Sequence, residues 1–280
     1  MREIDLHVHT NISDGTFTPE ETVRHAKKLG LRAIAVSDHD STNGVARALS
    51  EGEKQGIEVV PALELGCGWY GKEVHMLGYF VDPANEKLRS TLQWIIDDRH
   101  ERNRKMADRI SADGIRIDLA ELEERFRGSS IGRPHFARCI VEAGYAVSVQ
   151  DAFHRYLNPG CKYYIRRNFL SIEEAASLIR GAGGKPVLAH PRQYRMDDEH
   201  MTELMERIKN AGVVGMECRY SGYDGDTVAM YEDWAARYGL CVTGGSDWHG
   251  ENKPHIQMGS GINGELSVPY ELLTILRERI

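Results

Sequence analysis

The chain is 280 residues long, 41% hydrophobic and 28% charged, with a formal net charge of −7. That balance excludes a protein that coats nucleic acid through a general basic surface, and no run approaches the ~18 apolar residues of a membrane span. Its five cysteines, Cys67, Cys139, Cys161, Cys218 and Cys241, are odd in number and lack any C-x-x-C spacing, which excludes a disulfide framework and a thiolate zinc site.

The first element is the strand in Asp5-Leu6-His7-Val8-His9-Thr10, where a period of two turns His7 and His9 to one face. An imidazole buried without a partner costs about 1–3 kcal/mol, so the pair reads as metal ligands held on a rigid element. Asp14 follows in the turn at 11–15, and Thr18-Pro19-Glu20-Glu21 has the form of a helix N-cap, with Gly30 ending that helix. A strand over 32–37 runs into His39, a helix spans 44–55, a strand over 57–64 stops in Glu64, and a strand over 74–81 carries His75. Residues 99–140 then break the alternation: ten Lys and Arg stand against seven Asp and Glu, and 99–109 and 119–126 read as helical. Beyond come a helix at 171–181, a strand at 187–190 stopping in His190, a helix at 199–211, a strand at 213–218 and a helix at 227–238. A strand over 240–246 enters Asp247-Trp248-His249, repeating the i, i+2 ligand pair, and a last helix starts at 269.

Repeated β-α units imply an α/β fold with a mostly parallel sheet, and ligand types at strand ends imply a TIM-like barrel, irregular because only about seven strands are found. The expected division is a barrel of residues 1–97 and 168–280 with a mainly helical insertion at 98–167. The candidate ligands, His7, His9, Asp14, His39, Glu64, His75, His190, Asp247 and His249, exceed what one ion can use, so two or three divalent ions sharing a carboxylate are expected. The imidazole-rich set suits Mn²⁺, with Fe²⁺ or Zn²⁺ as alternatives, better than Mg²⁺. The polar start, Met1-Arg2-Glu3, lacks a signal-peptide core, and a cytoplasmic enzyme without membrane or obligate protein partner is expected.

Asp5-Leu6-His7-Val8-His9-Thr10, Ser37-Asp38-His39-Asp40, Glu64, His75, Ala189-His190-Pro191 and Gly245-Ser246-Asp247-Trp248-His249 together resemble the polymerase-and-histidinol-phosphatase (PHP) family of metal-dependent phosphoesterases. The resemblance runs through nearly the whole chain and implies a distorted (β/α)7 barrel with a metal cluster at its C-terminal mouth. It implies His7, His9, Glu64 and Asp247 around one ion, Glu64, His75 and His190 around a second, and Asp14, His39 and His249 around a third, Glu64 bridging. Residues 131–138, 153–157, Tyr164, 181–191 and Tyr194 are similar to the stand-alone branch containing 3′,5′-bisphosphate nucleotidases and a 5′-to-3′ exoribonuclease, in which the helical insertion caps the mouth. Arg166-Arg167 departs from that pattern.

The implied reaction is attack on phosphorus by metal-activated hydroxide, with Asp247 or His249 relaying a proton, on small phosphorylated nucleotides or short RNA. Arg133, Arg167, Arg192 and His135 are the candidate clamps for other substrate phosphates, because a planar guanidinium grips phosphate in two places. Trp69, Tyr163, Tyr164 and Tyr194 are candidates to stack a base, although packing is their more ordinary use. Cyclic-phosphate phosphodiesterase and histidinol-phosphate phosphatase activities are alternatives within the family. A C–N amidohydrolase would share the H-x-H pair and barrel but often bridges its metals with a carboxylated lysine, where this chain has Glu64. A non-catalytic accessory module is disfavoured by the intact ligand set.

Overall fold

The computed structural model describes residues 3–126 and 131–279. Two compact units are present, one made of the chain up to Leu92 and again from Phe169, the other of Gln93–Asn168. The chain runs β1 (Ile4–Val8), α1 (Pro19–Lys28), β2 (Ala33–Val36), α2 (Val45–Gln55), β3 (Glu58–Trp69), β4 (Lys72–Tyr79) and a long α3 (Glu86–Ser111). The second unit continues with α4 (Leu119–Arg125), α5 (Arg133–Glu142) and α6 (Val149–Ala152). The first unit resumes with α7 (Ile172–Gly181), β5 (Lys185–Leu188), α8 (Asp198–Asn210), β6 (Gly215–Tyr220), α9 (Gly225–Tyr238), β7 (Cys241–Gly245) and α10 (Tyr270–Glu278).

The seven strands pair in chain order and form a nearly closed barrel. Its seam is tied where β1 meets the residues after β7: the Asp247 N–H donates to the His7 carbonyl at 2.8 Å and the His9 N–H to the Trp248 carbonyl at 2.9 Å. All of β1 is buried. Ile4 and Leu6 pack with Leu273 and Leu276 of α10, and Val8 packs with Val23 and Ala26 of α1. Alternation therefore turns Asp5 and His7 into the barrel. Gly245 allows the seam to close, since a Cβ there would lie 2.3 Å from the His7 Cβ.

One strand breaks the parallel pattern. β4 is antiparallel to both β3 and β5, whereas the β1–β2, β2–β3, β5–β6 and β6–β7 pairs are parallel. The reversal comes from a two-residue turn, Tyr70-Gly71, with φ of 44° and 75°, the left-handed pair that matches the twist of a hairpin. The third strand consequently does not stop at Glu64 but continues to Trp69, and His75 faces Gly66 across the ladder.

Local signals behave as their chemistry dictates. Thr18 caps α1 through a reciprocal pair, its hydroxyl accepting the Glu21 N–H at 3.2 Å while the Glu21 carboxylate accepts the Thr18 N–H at 2.9 Å. The charged stretch expected to be helical over 99–109 is the second half of the 26-residue α3. In the second unit Met106, Ile110, Leu122, Phe136, Ile140 and Leu157 form a core of their own, against which Leu119 and Phe126 pack. Among the described residues no helix is long and apolar enough to cross a membrane.

Candidate metal centre

The strand ends of the first unit bring all nine candidate ligands together. His7 points from β1 and His9 from the residue just beyond its end, and their Nε2 atoms lie 3.1 Å apart. Asp247 Oδ1 is 3.6 Å from His7 Nε2 and 3.2 Å from His9 Nε2. Glu64 sits between groups: its Oε1 is 2.9 Å from His75 Nδ1 and 2.8 Å from His190 Nε2, while its Oε2 is 3.4 Å from both His7 Nε2 and His9 Nε2. Asp14 Oδ1 lies 3.2 Å from His249 Nε2, and Asp14 Oδ2 is 3.8 Å from His39 Nε2. His39 also reaches toward the second group, with Nδ1 3.0 Å from Glu64 Oε2. Three clusters have ligand atoms within 4.8 Å of one another: His9, Asp14, His39 and His249; His7, His9 and Glu64; and His39, Glu64 and His75. His9 and His39 thus stand between sets that the family resemblance kept separate.

Physical tests on these residues favour cations. Glu64 Oε2 is buried and makes no hydrogen bond, although three imidazole nitrogens face it. A buried carboxylate oxygen is rarely left so, since desolvating it without a partner is expensive. His7 Nδ1–H donates to the buried Glu217 at 3.0 Å, so a neutral His7 directs the lone pair of Nε2 at His9 Nε2. Two such lone pairs at that separation repel unless a proton or a cation sits between them. Six imidazoles and three carboxylates form a borderline donor set of the kind that Mn²⁺, Fe²⁺ and Zn²⁺ accept. Asp40, His190 and Asp247 hold φ of 49°, 22° and 56°, left-handed values that non-glycine residues adopt at a cost and that gather at functional sites.

Electrostatics point the same way. Burial opposes a charge on His9, but the facing carboxylates of Asp247, Glu64 and Asp14 outweigh it and push the imidazole up to about 9. His75, also opposed by burial, is pushed up to about 10 by Glu64 and Glu73. His39 goes the other way, to about 4, because loss of hydration dominates over the attraction of Glu64. In the metal-free protein protons on His9 and His75 therefore balance the carboxylates, and an incoming cation must displace them. We expect metal binding at pH 8 to release protons, measurable by calorimetry in buffers of different ionisation enthalpy, with the release fading above about pH 10. The sign for stability follows: these raised values favour the metal-free fold fully below the ordinary histidine value and lose that contribution as pH rises through about 9 and 10. Metal uptake that releases no protons at pH 8 would contradict this picture.

Several supporting residues have no signal in ligand spacing. Glu217, in the middle of β6, is fully buried and accepts both His7 Nδ1–H and, at 2.8 Å, the His190 backbone N–H. Asp5 accepts Ser246 N–H and Oγ–H at 2.8 and 2.5 Å and Gly259 N–H at 2.7 Å, locking the loop that carries Asp247. Asp38 accepts from Thr10 N, Thr10 Oγ1 and Ser13 Oγ at 2.7–2.8 Å, holding the turn that carries Asp14. Tyr220 O–H and Lys253 Nζ both donate to Asp247 Oδ2, at 2.6 and 2.8 Å, leaving Oδ1 for the cluster. The only hint in the sequence is an isolated acid within an apolar strand, which costs free energy unless it is hydrogen-bonded.

The substrate candidates divide. Arg133, His135 and Arg167 belong to the helical unit, and Arg192 to the same unit as the nine. Arg133 opens α5 half-buried, its guanidinium 5.8 Å from the Phe153 ring centre and 5.9 Å from that of Tyr164. His135 uses Nδ1 to accept the Gly132 N–H at 3.1 Å and packs edge-on to Phe126, a helix-start arrangement. Arg167 is half-buried. Arg192 is exposed, with Nη1 3.3 Å from Thr227 Oγ1. Tyr194 is committed elsewhere: its hydroxyl donates to the Ala189 carbonyl at 2.6 Å and accepts the His75 N–H at 2.9 Å, so it ties β4 to the turn after β5. Trp69 and Tyr163 are buried, and Cys67 is a packing residue.

The family model of the PHP domain matches residues 5–211. The chain is 34% identical over 251 residues to a 3′,5′-nucleoside bisphosphate phosphatase of Chromobacterium violaceum, covering 89% of this chain and 88% of that one. It is 31% identical over 260 residues to the 5′-3′ exoribonuclease Rnm of Escherichia coli, covering 91% and 87%. A phosphoribosyl 1,2-cyclic phosphate 1,2-diphosphodiesterase of Eggerthella lenta is 29% identical over 260 residues, covering 90% and 97%. Among solved structures, one described as an amidohydrolase from C. violaceum with bound sulfate and no metal superposes with a TM-score of 0.80 at 31% identity, over 98% of this chain and 96% of that one. A structure described as a metal-dependent phosphoesterase from Bifidobacterium adolescentis gives 0.78 at 32% identity, over 98% and 95%.

Proposed function

The chain belongs to the PHP domain family and is a metal-dependent phosphoric ester hydrolase, and from that premise we propose that it acts on small nucleotides, as a 3′,5′-bisphosphate nucleotidase or a 5′-3′ exoribonuclease on short RNA. The observation that carries the reading is Glu64, whose two oxygens face different imidazole groups and so can join neighbouring cations. Two or three divalent ions, Mn²⁺ first, would be held by His7, His9, Asp14, His39, Glu64, His75, His190, Asp247 and His249. When bound they supply neutralisation of the phosphoryl oxygens and a water acidic enough to ionise near neutrality.

The chain's own groups do the rest. Glu217 keeps the His7 lone pair turned inward, and Asp5 and Asp38 hold the loops bearing Asp247 and Asp14. Asp247 or His249 would relay the proton to the leaving group; Asp247 Oδ2 accepts from Tyr220 and Lys253, and His249 donates its Nδ1–H to the Asp247 carbonyl at 2.8 Å. Glu64 would bridge neighbouring ions where an amidohydrolase often uses a carboxylated lysine, which disfavours C–N hydrolysis.

The test is phosphate or mononucleotide release by purified protein loaded in turn with Mn²⁺, Fe²⁺ and Zn²⁺. Adenosine 3′,5′-bisphosphate and 5′-phosphorylated short RNA should be turned over fastest, ahead of cyclic phosphates and histidinol phosphate. Inertness toward all four under every metal defeats the reading.

A further inference from the structure

Resting on that reading, we propose that a cavity beside the centre, between the turn after β5 and the end of β6, seats the base and the non-reacting phosphate of the nucleotide, with Arg195 as its specificity-determining cation. The cavity measures about 530 Å³, within the usual range for small-molecule sites. Its walls combine what a nucleotide requires. Tyr220 and Tyr223 lie 5.3 Å apart between ring centres, Tyr231 stacks behind Tyr223 at 5.5 Å, and Met196 and Met201 add soft apolar surface. Arg192 and Arg195 both line it and no carboxylate does, although the protein as a whole carries −7. Such a lining selects an anion attached to an aromatic ring.

Its place joins it to the chemistry. Tyr220 is shared: its hydroxyl donates to Asp247 at 2.6 Å and its ring centre lies 5.5 Å from that of His190. A substrate reaching from the cluster into the cavity passes this tyrosine. Arg195 closes the turn in a left-handed conformation, φ 48°, and among the described residues its guanidinium has no partner. A strained, unpaired cation on a wall without acids is poised for a ligand that is itself anionic. Arg192 is held more firmly, by Thr227 and through its backbone N–H to Tyr223 Oη at 3.0 Å, and so shapes the wall.

The experiment uses the full chain. Arg195→Ala and Arg195→Gly are compared with wild type, the glycine variant removing the guanidinium while relaxing the backbone. Calorimetric binding of adenosine 3′,5′-bisphosphate to metal-free protein, and kcat and KM for that nucleotide and for p-nitrophenyl phosphate with Mn²⁺, are measured. Both variants should weaken nucleotide binding and raise its KM by about tenfold or more, the scale of one charge-assisted hydrogen bond, with p-nitrophenyl phosphate kinetics unchanged. Unchanged nucleotide binding, an effect in only one variant, or a parallel loss on p-nitrophenyl phosphate overturns the assignment while leaving the proposed function standing. A wild-type protein that hydrolyses p-nitrophenyl phosphate but neither binds nor hydrolyses any nucleotide defeats both readings.

Discussion

Glu64→Gln is expected to fold normally yet lose turnover by roughly 10³-fold or more, because it removes the carboxylate shared between two of the ligand clusters. Its Oε1 serves His75 and His190, and its Oε2 faces His7, His9 and His39. A glutamine keeps the shape but replaces one oxygen with an NH₂, which points donor hydrogens into a space where cations would sit. The remaining carboxylates, Asp14 and Asp247, belong to different ends of the cluster and cannot take its place. Two measurements check this: metal content after dialysis, by inductively coupled plasma mass spectrometry, and kcat on the preferred substrate. Wild-type metal content together with wild-type kcat would remove Glu64 from its central position.

Glu217→Gln comes second in expected effect, and it acts without touching an ion. Both carboxylate oxygens of Glu217 accept, one from His7 Nδ1–H and the other from the His190 backbone N–H. An amide satisfies only one of these. If its NH₂ faces His190, two donors collide; if it faces His7, the imidazole must move its proton to Nε2 and lose the lone pair aimed at the cluster. Losing such a partner behind a ligating histidine typically costs about 10–100-fold in metal affinity or activity. We expect that loss in a competitive chelator titration, partly recovered in Glu217→Asp, which retains two acceptor oxygens. Equal metal affinity in wild type and Glu217→Gln would show that the carboxylate is merely structural.

The legibility of the site in the sequence had a physical basis. His7 with His9 is legible because alternation turns residues two apart to one face, and His190 because it follows an apolar run directly; Asp247 and His249 lie beyond the end of β7, Asp247 at a left-handed φ of 56°, so a loop and not strand alternation brings that pair to the cluster. Glu64 was recognised for its residue type, but the strand bearing it runs on to Trp69, since nothing in the alternation marks where a barrel strand becomes a hairpin arm. The reversed direction of β4 was equally hidden: Tyr70-Gly71 is a weak turn signal next to Asn-Gly or Asp-Gly, and the direction depends on both residues taking left-handed values. Glu217 has no signature in the sequence, because a single acid inside a strand has no spacing partner. His135 is equally readable from its residue type as a phosphate clamp or as a capped-turn histidine, and its Nδ1 accepts the Gly132 N–H at the start of α5.

The most direct test is a crystal structure of the Mn²⁺-loaded protein with anomalous scattering recorded at the manganese edge. We expect two or three peaks beside Glu64, each about 2.0–2.6 Å from imidazole nitrogens and carboxylate oxygens of the nine residues, with His7 coordinating through Nε2. A map without peaks in this pocket, or with these side chains turned away from one another, would contradict that expectation.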